Sequence, residues 1–224
     1  MPSPSTTVIP LVHDFERERV LVFGGGPVGA RKARRFAREA TAVVVSPSFT
    51  DADFGGAQRV RAAPDAETAR VWIEASDPAL VVAATDDSDL NDALAQAARE
   101  QGTLWNRADE RGSRPAGSVV VPATARDDPV VAAISTGGTS PALSRHLRER
   151  VADTVDGAGA MATLTGRLRD RLRERGVAAG TRRDAVRAVV AHEGVWTALD
   201  SSEGAARERD APADVRVAGR RGVD

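Results

Sequence analysis

Gly24-Gly25-Gly26-Pro27-Val28-Gly29 has the G-x-G-x-x-G spacing that holds a dinucleotide. Each glycine has a physical task. Gly24 permits a tight turn, Gly26 lets the backbone approach a pyrophosphate, and Gly29 lets the following helix pack close to its strand. A helix opening at Pro27 offers free N–H groups and a partial positive charge to the phosphates. The chemistry implied is hydride exchange with a nicotinamide. The alternative is a glycine-rich turn without a ligand, but the apolar strand before the loop and the helix after it favour the dinucleotide.

Other candidates lie where later strands end. NAD-binding folds often carry an acid about 20 residues beyond the glycines to hold the ribose hydroxyls. Here the second strand ends in Ser46-Pro47-Ser48, and Asp51 and Asp53 come later. No arginine stands there for a 2′-phosphate, so NAD is preferred, with ribose contacts from Ser46, Ser48 or the backbone. Thr85, at the end of the fourth strand, is a candidate cofactor contact. Asp86, Asp87 and Ser88 beside it are equally candidates to cap the next helix. After the fifth strand, Asn106 is a candidate positioning group and Asp109 a candidate general acid or base. Taken alone, Asp109 is more often a solvated loop carboxylate. The second glycine loop, Ser135-Thr136-Gly137-Gly138-Thr139-Ser140-Pro141, either cradles an anion or is a turn with a helix cap.

The elements that must position these groups alternate. Apolar strands are predicted at Arg19–Phe23, Ala42–Val45 and Leu80–Ala84, with weaker ones at Arg59–Ala62 and Thr103–Trp105. Helices are predicted at Pro27–Ala40, Ala66–Ala75 and Asp89–Gln101. This order gives an α/β fold with a parallel sheet covered on both faces. The pattern then changes. Ser118–Pro122 and Val130–Thr136 are β-rich and flank a turn at Arg126-Asp127-Asp128-Pro129, so an antiparallel pair is expected. Ser140 and Pro141 open a helix reaching about Val155. Met161, Leu164, Leu168 and Leu172 recur at helical spacing, and another helix is expected near Arg182–His192. From Ser201 the polar composition predicts a flexible tail.

Composition narrows the classes. The 224 residues are 42% hydrophobic, enough for a core. Lys+Arg 31 against Asp+Glu 32 gives a net charge of -1 and no global case for nucleic acid. Nearly all the cations are arginine, whose planar fork suits carboxylates and phosphates. With no cysteine, disulfides, thiolate metal sites and thiol nucleophiles are excluded. His13, His146 and His192 form no metal-ligand pattern, and the tryptophans form no stacking array. No apolar run approaches the ~20 residues needed to span a bilayer, and no signal peptide is visible. A soluble cytoplasmic protein is expected, with no metal site and no membrane or nucleic-acid partner.

Five motifs in order resemble one family. They are Ile9-Pro10-Leu11, Gly24–Ala33, Ala83–Asp87, Asn106-Arg107-Ala108-Asp109 and Ser135–Pro141. Together they resemble precorrin-2 dehydrogenase, the dehydrogenase/ferrochelatase part of sirohaem synthase, over roughly residues 8–155. The resemblance implies NAD-dependent oxidation of the tetrapyrrole precorrin-2 to sirohydrochlorin. Some members also insert ferrous iron. It makes Asp109 the catalytic base and Ser46-Pro47-Ser48 an ordinary end for the second strand. The expected cofactor contacts are Gly24, Gly25, Gly26, Pro27, Val28, Gly29, Ser46, Pro47, Ser48, Thr85 and Asn106. Precorrin-2 carries many carboxylates, which makes Arg107, Arg111, Arg114, Thr139, Ser140 and Arg145 candidate substrate contacts.

The implied architecture is a Rossmann-type parallel-sheet domain over 1–113, a small β dimerisation region over 114–150 and a C-terminal helical domain over 151–200. The expected tail covers 201–224. The family forms homodimers. Thr136 stands where some bifunctional members carry a phosphorylatable serine, which argues against that regulation here. The methyltransferase domain fused in some sirohaem synthases is not expected here. A non-catalytic NAD-sensing regulatory module is the competing reading from another class. Such modules usually place an acid at the end of the second strand and have no need of the Asn106/Asp109 pair.

Overall fold

The computed structural model describes residues 9–109 and 117–210. Two compact units divide the chain. One gathers everything up to Val121 with Gly137–Thr139, and the other holds Pro122–Thr136 and the chain from Ser140 onward.

The first unit runs β1 (Arg19–Phe23), α1 (Pro27–Phe36), β2 (Thr41–Ser46), β3 (Gln58–Arg61), α2 (Ala66–Ser76), β4 (Leu80–Ala83), α3 (Ser88–Glu100) and β5 (Leu104–Arg107). Its sheet has five strands in the order β3-β2-β1-β4-β5. Every pairing is parallel. Successive side chains of β1 go to opposite faces, and both faces are dry. Val20 and Val22 pack with Ala30 and Ala33 of α1 and with Phe54. Leu21 and Phe23 pack with Ile73 of α2 and with Leu94 and Ala98 of α3. That is why the central strands read as unbroken apolar runs. Strand order reverses between β1 and β4, and crevices outside such switch points are where ligands bind.

Two local differences from the sequence expectation have clear causes. α1 ends at Phe36 instead of Ala40, because Thr41 N–H must reach the Glu18 carbonyl (2.8 Å) to start β2. The chain therefore turns over Ala37–Ala40. No helix joins β2 to β3. The connection instead buries Phe54 and sets Phe49 and Phe54 beneath the Arg59 guanidinium, 5.7 and 5.5 Å from the ring centres.

The second unit holds β6 (Ala123–Asp127), β7 (Val130–Ile134), α4 (Pro141–Val155), α5 (Ala158–Glu174), α6 (Ala179–Val190) and α7 (Glu193–Asp210). β6 and β7 pair antiparallel from Ala123↔Ile134 to Asp127↔Val130. The expected strand at Ser118–Pro122 is corrected. Ser118 makes one parallel bridge to Trp105, and the strand lies further on. Arg126 and Asp127, read as turn residues, complete that strand. Asp127 can sit there because its carboxylate accepts the N–H of Gly159 at 2.7 Å. Gly159 in turn must be a glycine, since a Cβ would stand 2.3 Å from the Asp128 carbonyl oxygen. Of the helically spaced apolar residues, Met161 is buried while Leu164 is 37% exposed. α7 runs on to Asp210, into the stretch expected as a tail, where alanine, glutamate and arginine favour helix. No helix among the described residues is long and apolar enough to cross a membrane.

Candidate functional site

The glycine loop is built by close approach. Gly24 takes φ +117°, and a Cβ there would lie 2.3 Å from the Ala84 carbonyl oxygen. A Cβ on Gly29 would lie 1.9 Å from the Gly24 oxygen, so the first turn of α1 rests directly on the loop. At Gly25 a Cβ would strike the Ser48 carbonyl oxygen at 2.1 Å. Gly26 differs, because nothing lies within 4 Å of its Cβ position. Three glycines therefore serve packing, and Gly26 faces open space where a pyrophosphate can come close to the backbone. No side chain caps the N-terminus of α1, and its first turn contains no acid. The residues present fit a dinucleotide phosphate.

The loop after β2 is sewn to the glycines. Thr50 N–H donates to the Gly25 carbonyl at 2.9 Å, and Gly24 N–H donates to Val45 at 3.0 Å. Ser46 is buried beneath Gly25, whereas Pro47 and Ser48 are exposed. Of the two serines, Ser48 is the exposed one.

Across the switch point, β4 and β5 end in a polar cluster. Arg107 forks onto Asp109, with Nε to Oδ1 at 3.1 Å and Nη2 to Oδ2 at 2.7 Å. The Arg107 side chain is 9% exposed and that of Asp109 is 31% exposed. A second contact joins Arg107 to Asp92. The Arg107 hydrogen bonds hold the Asp109 carboxyl below its ordinary value, partial burial opposes them, and a bond from Asn91 adds to the lowering. Asn91 is fully buried. Its Oδ1 accepts from Thr85 Oγ1 at 2.8 Å and from Thr85 N–H at 3.2 Å, while Nδ2 donates to the Thr85 carbonyl at 3.1 Å. Asn91 thus joins the end of β4 to Asp109. It was missed in the sequence, although a lone asparagine on the face shared with Leu94 and Ala98 was the available signal. Asp87 caps α3 through the N–H groups of Asp89 and Leu90, which settles the capping alternative in its favour.

Asn106 is buried at the end of β5. Its Oδ1 accepts from Lys32 Nζ at 2.9 Å, and its Nδ2 donates to the Val119 carbonyl at 2.8 Å. The Ala108 N–H donates to the Ala83 carbonyl at 2.8 Å, which fixes the chain just before Asp109. In the second unit, Ser140 caps α4 by accepting the Leu143 N–H at 3.2 Å. Thr136 Oγ1 binds the Ser140 carbonyl at 3.1 Å and Ser144 Oγ at 2.9 Å. Thr139 and Arg145 are exposed. Arg111 and Arg114 lie outside the described residues. Among the described residues, no cluster of His, Asp or Glu could hold a metal ion.

The first unit therefore sets an open glycine loop and a clamped carboxylate on the same carboxyl edge of one sheet. Residues 11–123 match a family model described as putative NAD(P)-binding. Residues 133–154 match one described as sirohaem biosynthesis protein central. The chain is 32% identical to a precorrin-2 dehydrogenase of Methanosarcina barkeri, over 90% of this chain and 91% of that protein. It is 35% identical to a siroheme synthase of Sodalis glossinidius over 75% of this chain, which spans 35% of that longer protein. The fold is also that of SirC, a precorrin-2 dehydrogenase, with TM-score 0.65 and 20% identity over 87% of this chain and 98% of that one. By its sequence over nearly its whole length, the chain belongs to the precorrin-2 dehydrogenase family.

Proposed function

We propose that this protein oxidises precorrin-2 to sirohydrochlorin in sirohaem biosynthesis, with NAD as the oxidant. The observation that carries the reading is the pairing, on one sheet edge, of the open Gly26 backbone with the Arg107-clamped Asp109. Bound NAD supplies the hydride acceptor. The substrate gives up one hydride and one proton, and the products are sirohydrochlorin, NADH and a proton. Asp109, ionised at neutral pH, takes the proton from the substrate carbon, and Arg107 holds the carboxylate in position throughout. The base is 31% exposed and can return its proton to water.

The nucleotide is held by Gly24–Gly29 and the first turn of α1, with Pro47 and Ser48 at the adenosine ribose, Ser46 supporting the loop from beneath Gly25, and Thr85 at the switch point. Arg111, Arg114, Thr139, Ser140 and Arg145 are assigned to the substrate carboxylates. The active form is taken to be a cytoplasmic homodimer joined through residues 114–150, with 151–200 as its helical part. The exposure of Val131 (46%) and Leu143 (47%) in that region supports a partner surface.

The test mixes purified protein with precorrin-2 and NAD and follows tetrapyrrole and NADH absorbance together. One NADH per sirohydrochlorin is expected. No NAD-dependent conversion would overturn the reading and favour a dinucleotide sensor. Asp109→Asn should lower turnover by roughly 10²- to 10⁴-fold while NAD binding survives. Wild-type turnover would remove Asp109 from the chemistry.

A further inference from the structure

Lys32 has no role in the glycine fingerprint, yet it is the one lysine in the chain. Its neighbours Arg31 and Arg34 on α1 are exposed, while Lys32 is half-buried. Its ammonium donates to Asn106 Oδ1 at 2.9 Å. The other end of that amide donates to the Val119 carbonyl at 2.8 Å, and Val119 N–H returns a bond to Trp105 at 2.8 Å. An ammonium on Oδ1 polarises the amide and strengthens what Nδ2 donates. The side chain of Asn106, 6% exposed, is thus engaged at both ends.

The topology gives this contact its meaning. α1 carries the phosphate-binding turn, and β5 leads to the proton-accepting carboxylate. The two are not neighbours, because β4 separates β5 from β1. Lys32 spans that gap. Hydride transfer needs the reacting atoms about 3–3.5 Å apart, and a misplacement of about 1 Å can cost about 10²-fold.

We infer that Lys32 is a positioning residue: through Asn106 it sets the phosphate-binding helix in register with the strand that delivers Asp109. This rests on the dehydrogenase reading above. It assigns Asn106 to the tie in place of direct cofactor contact. An arginine can donate to the same amide oxygen, whereas a methionine of similar length cannot.

The test compares Lys32→Met, Lys32→Arg, Asn106→Ala and the Lys32→Met/Asn106→Ala pair in the full chain. Lys32→Met should lower kcat about 10- to 100-fold and leave the NAD dissociation constant within about twofold. Lys32→Arg should recover much of the loss. The double variant should be no worse than the worse single, since each breaks the same tie. Unchanged kcat, a loss explained wholly by weaker NAD binding, or additive effects would each overturn the inference. If Lys32→Met does not fold, Asn106→Ala is read for the same kcat loss. Amide hydrogen exchange at Val119 provides a measure that needs no turnover. It should quicken at least about tenfold in Lys32→Met, and an unchanged rate would overturn the tie even if the wild-type protein were inactive on precorrin-2.

Discussion

Arg107 and Asp109 stand two positions apart, and the structure turns them onto each other. With the carboxyl held below its ordinary value of 3.8, Asp109 stays ionised across the physiological range. The sign follows from linkage. A carboxyl lowered in the folded state adds stability above that ordinary value and loses it as pH falls through the lowered one. We therefore expect kcat/KM to show no acid limb from Asp109 between about pH 5 and 8. Arg107→Lys replaces the fork with a point charge, so the carboxyl should rise toward 3.8. Because even 3.8 lies below that range, the variant's pH–rate profile should stay parallel to the wild type between about pH 5 and 8 while turnover falls at every pH through lost positioning, and an acid limb within the range would contradict this. Asp109 was legible as a carboxylate after a strand. Its partner was not, because side-chain direction decides whether an arginine serves substrate or base. The sequence assigned Arg107 to the substrate, and the geometry sets its guanidinium against the carboxylates of Asp109 and Asp92.

At the scale of an element, the glycine loop separates packing from binding. Gly24→Ala places a methyl group against Ala84 on a backbone at φ +117° and should destabilise the fold by more than about 1 kcal/mol. Gly26→Ala meets no protein atom within 4 Å. Its thermal midpoint should stay within a few degrees of the wild type, while NAD affinity falls at least about tenfold as the methyl group enters the phosphate approach. Equal midpoints for the two variants would sink this division of labour. Gly159→Ala belongs with Gly24→Ala, since its methyl group would collide with the Asp128 carbonyl in the second unit. β1, β2 and β4 were readable because parallel strands buried on both faces are uniformly apolar. β6 was not, because Thr124, Arg126 and Asp127 look like loop until the pairing with β7 and the bond to Gly159 are known.

Across the whole molecule, the parallel architecture and the family followed from motif order, whereas the division near Val121 did not. Ser118 and Val119 belong to the sheet unit through Trp105 and Asn106, contacts far from them in sequence. Near-neutral charge has a kinetic consequence. With 31 basic and 32 acidic residues, the chain has no large net charge to draw in an anionic substrate. Raising ionic strength should therefore lower kcat/KM for precorrin-2 by less than about tenfold, and a hundredfold fall would reveal a concentrated basic surface. The single lysine also makes the chain chemically simple. Amine-directed acylation has one side-chain target, set beside a buried amide and on the helix whose first turn is proposed to take the cofactor phosphates. The intact mass after brief acylation, with and without NAD, becomes a label-counting gauge of occupancy that needs no introduced probe.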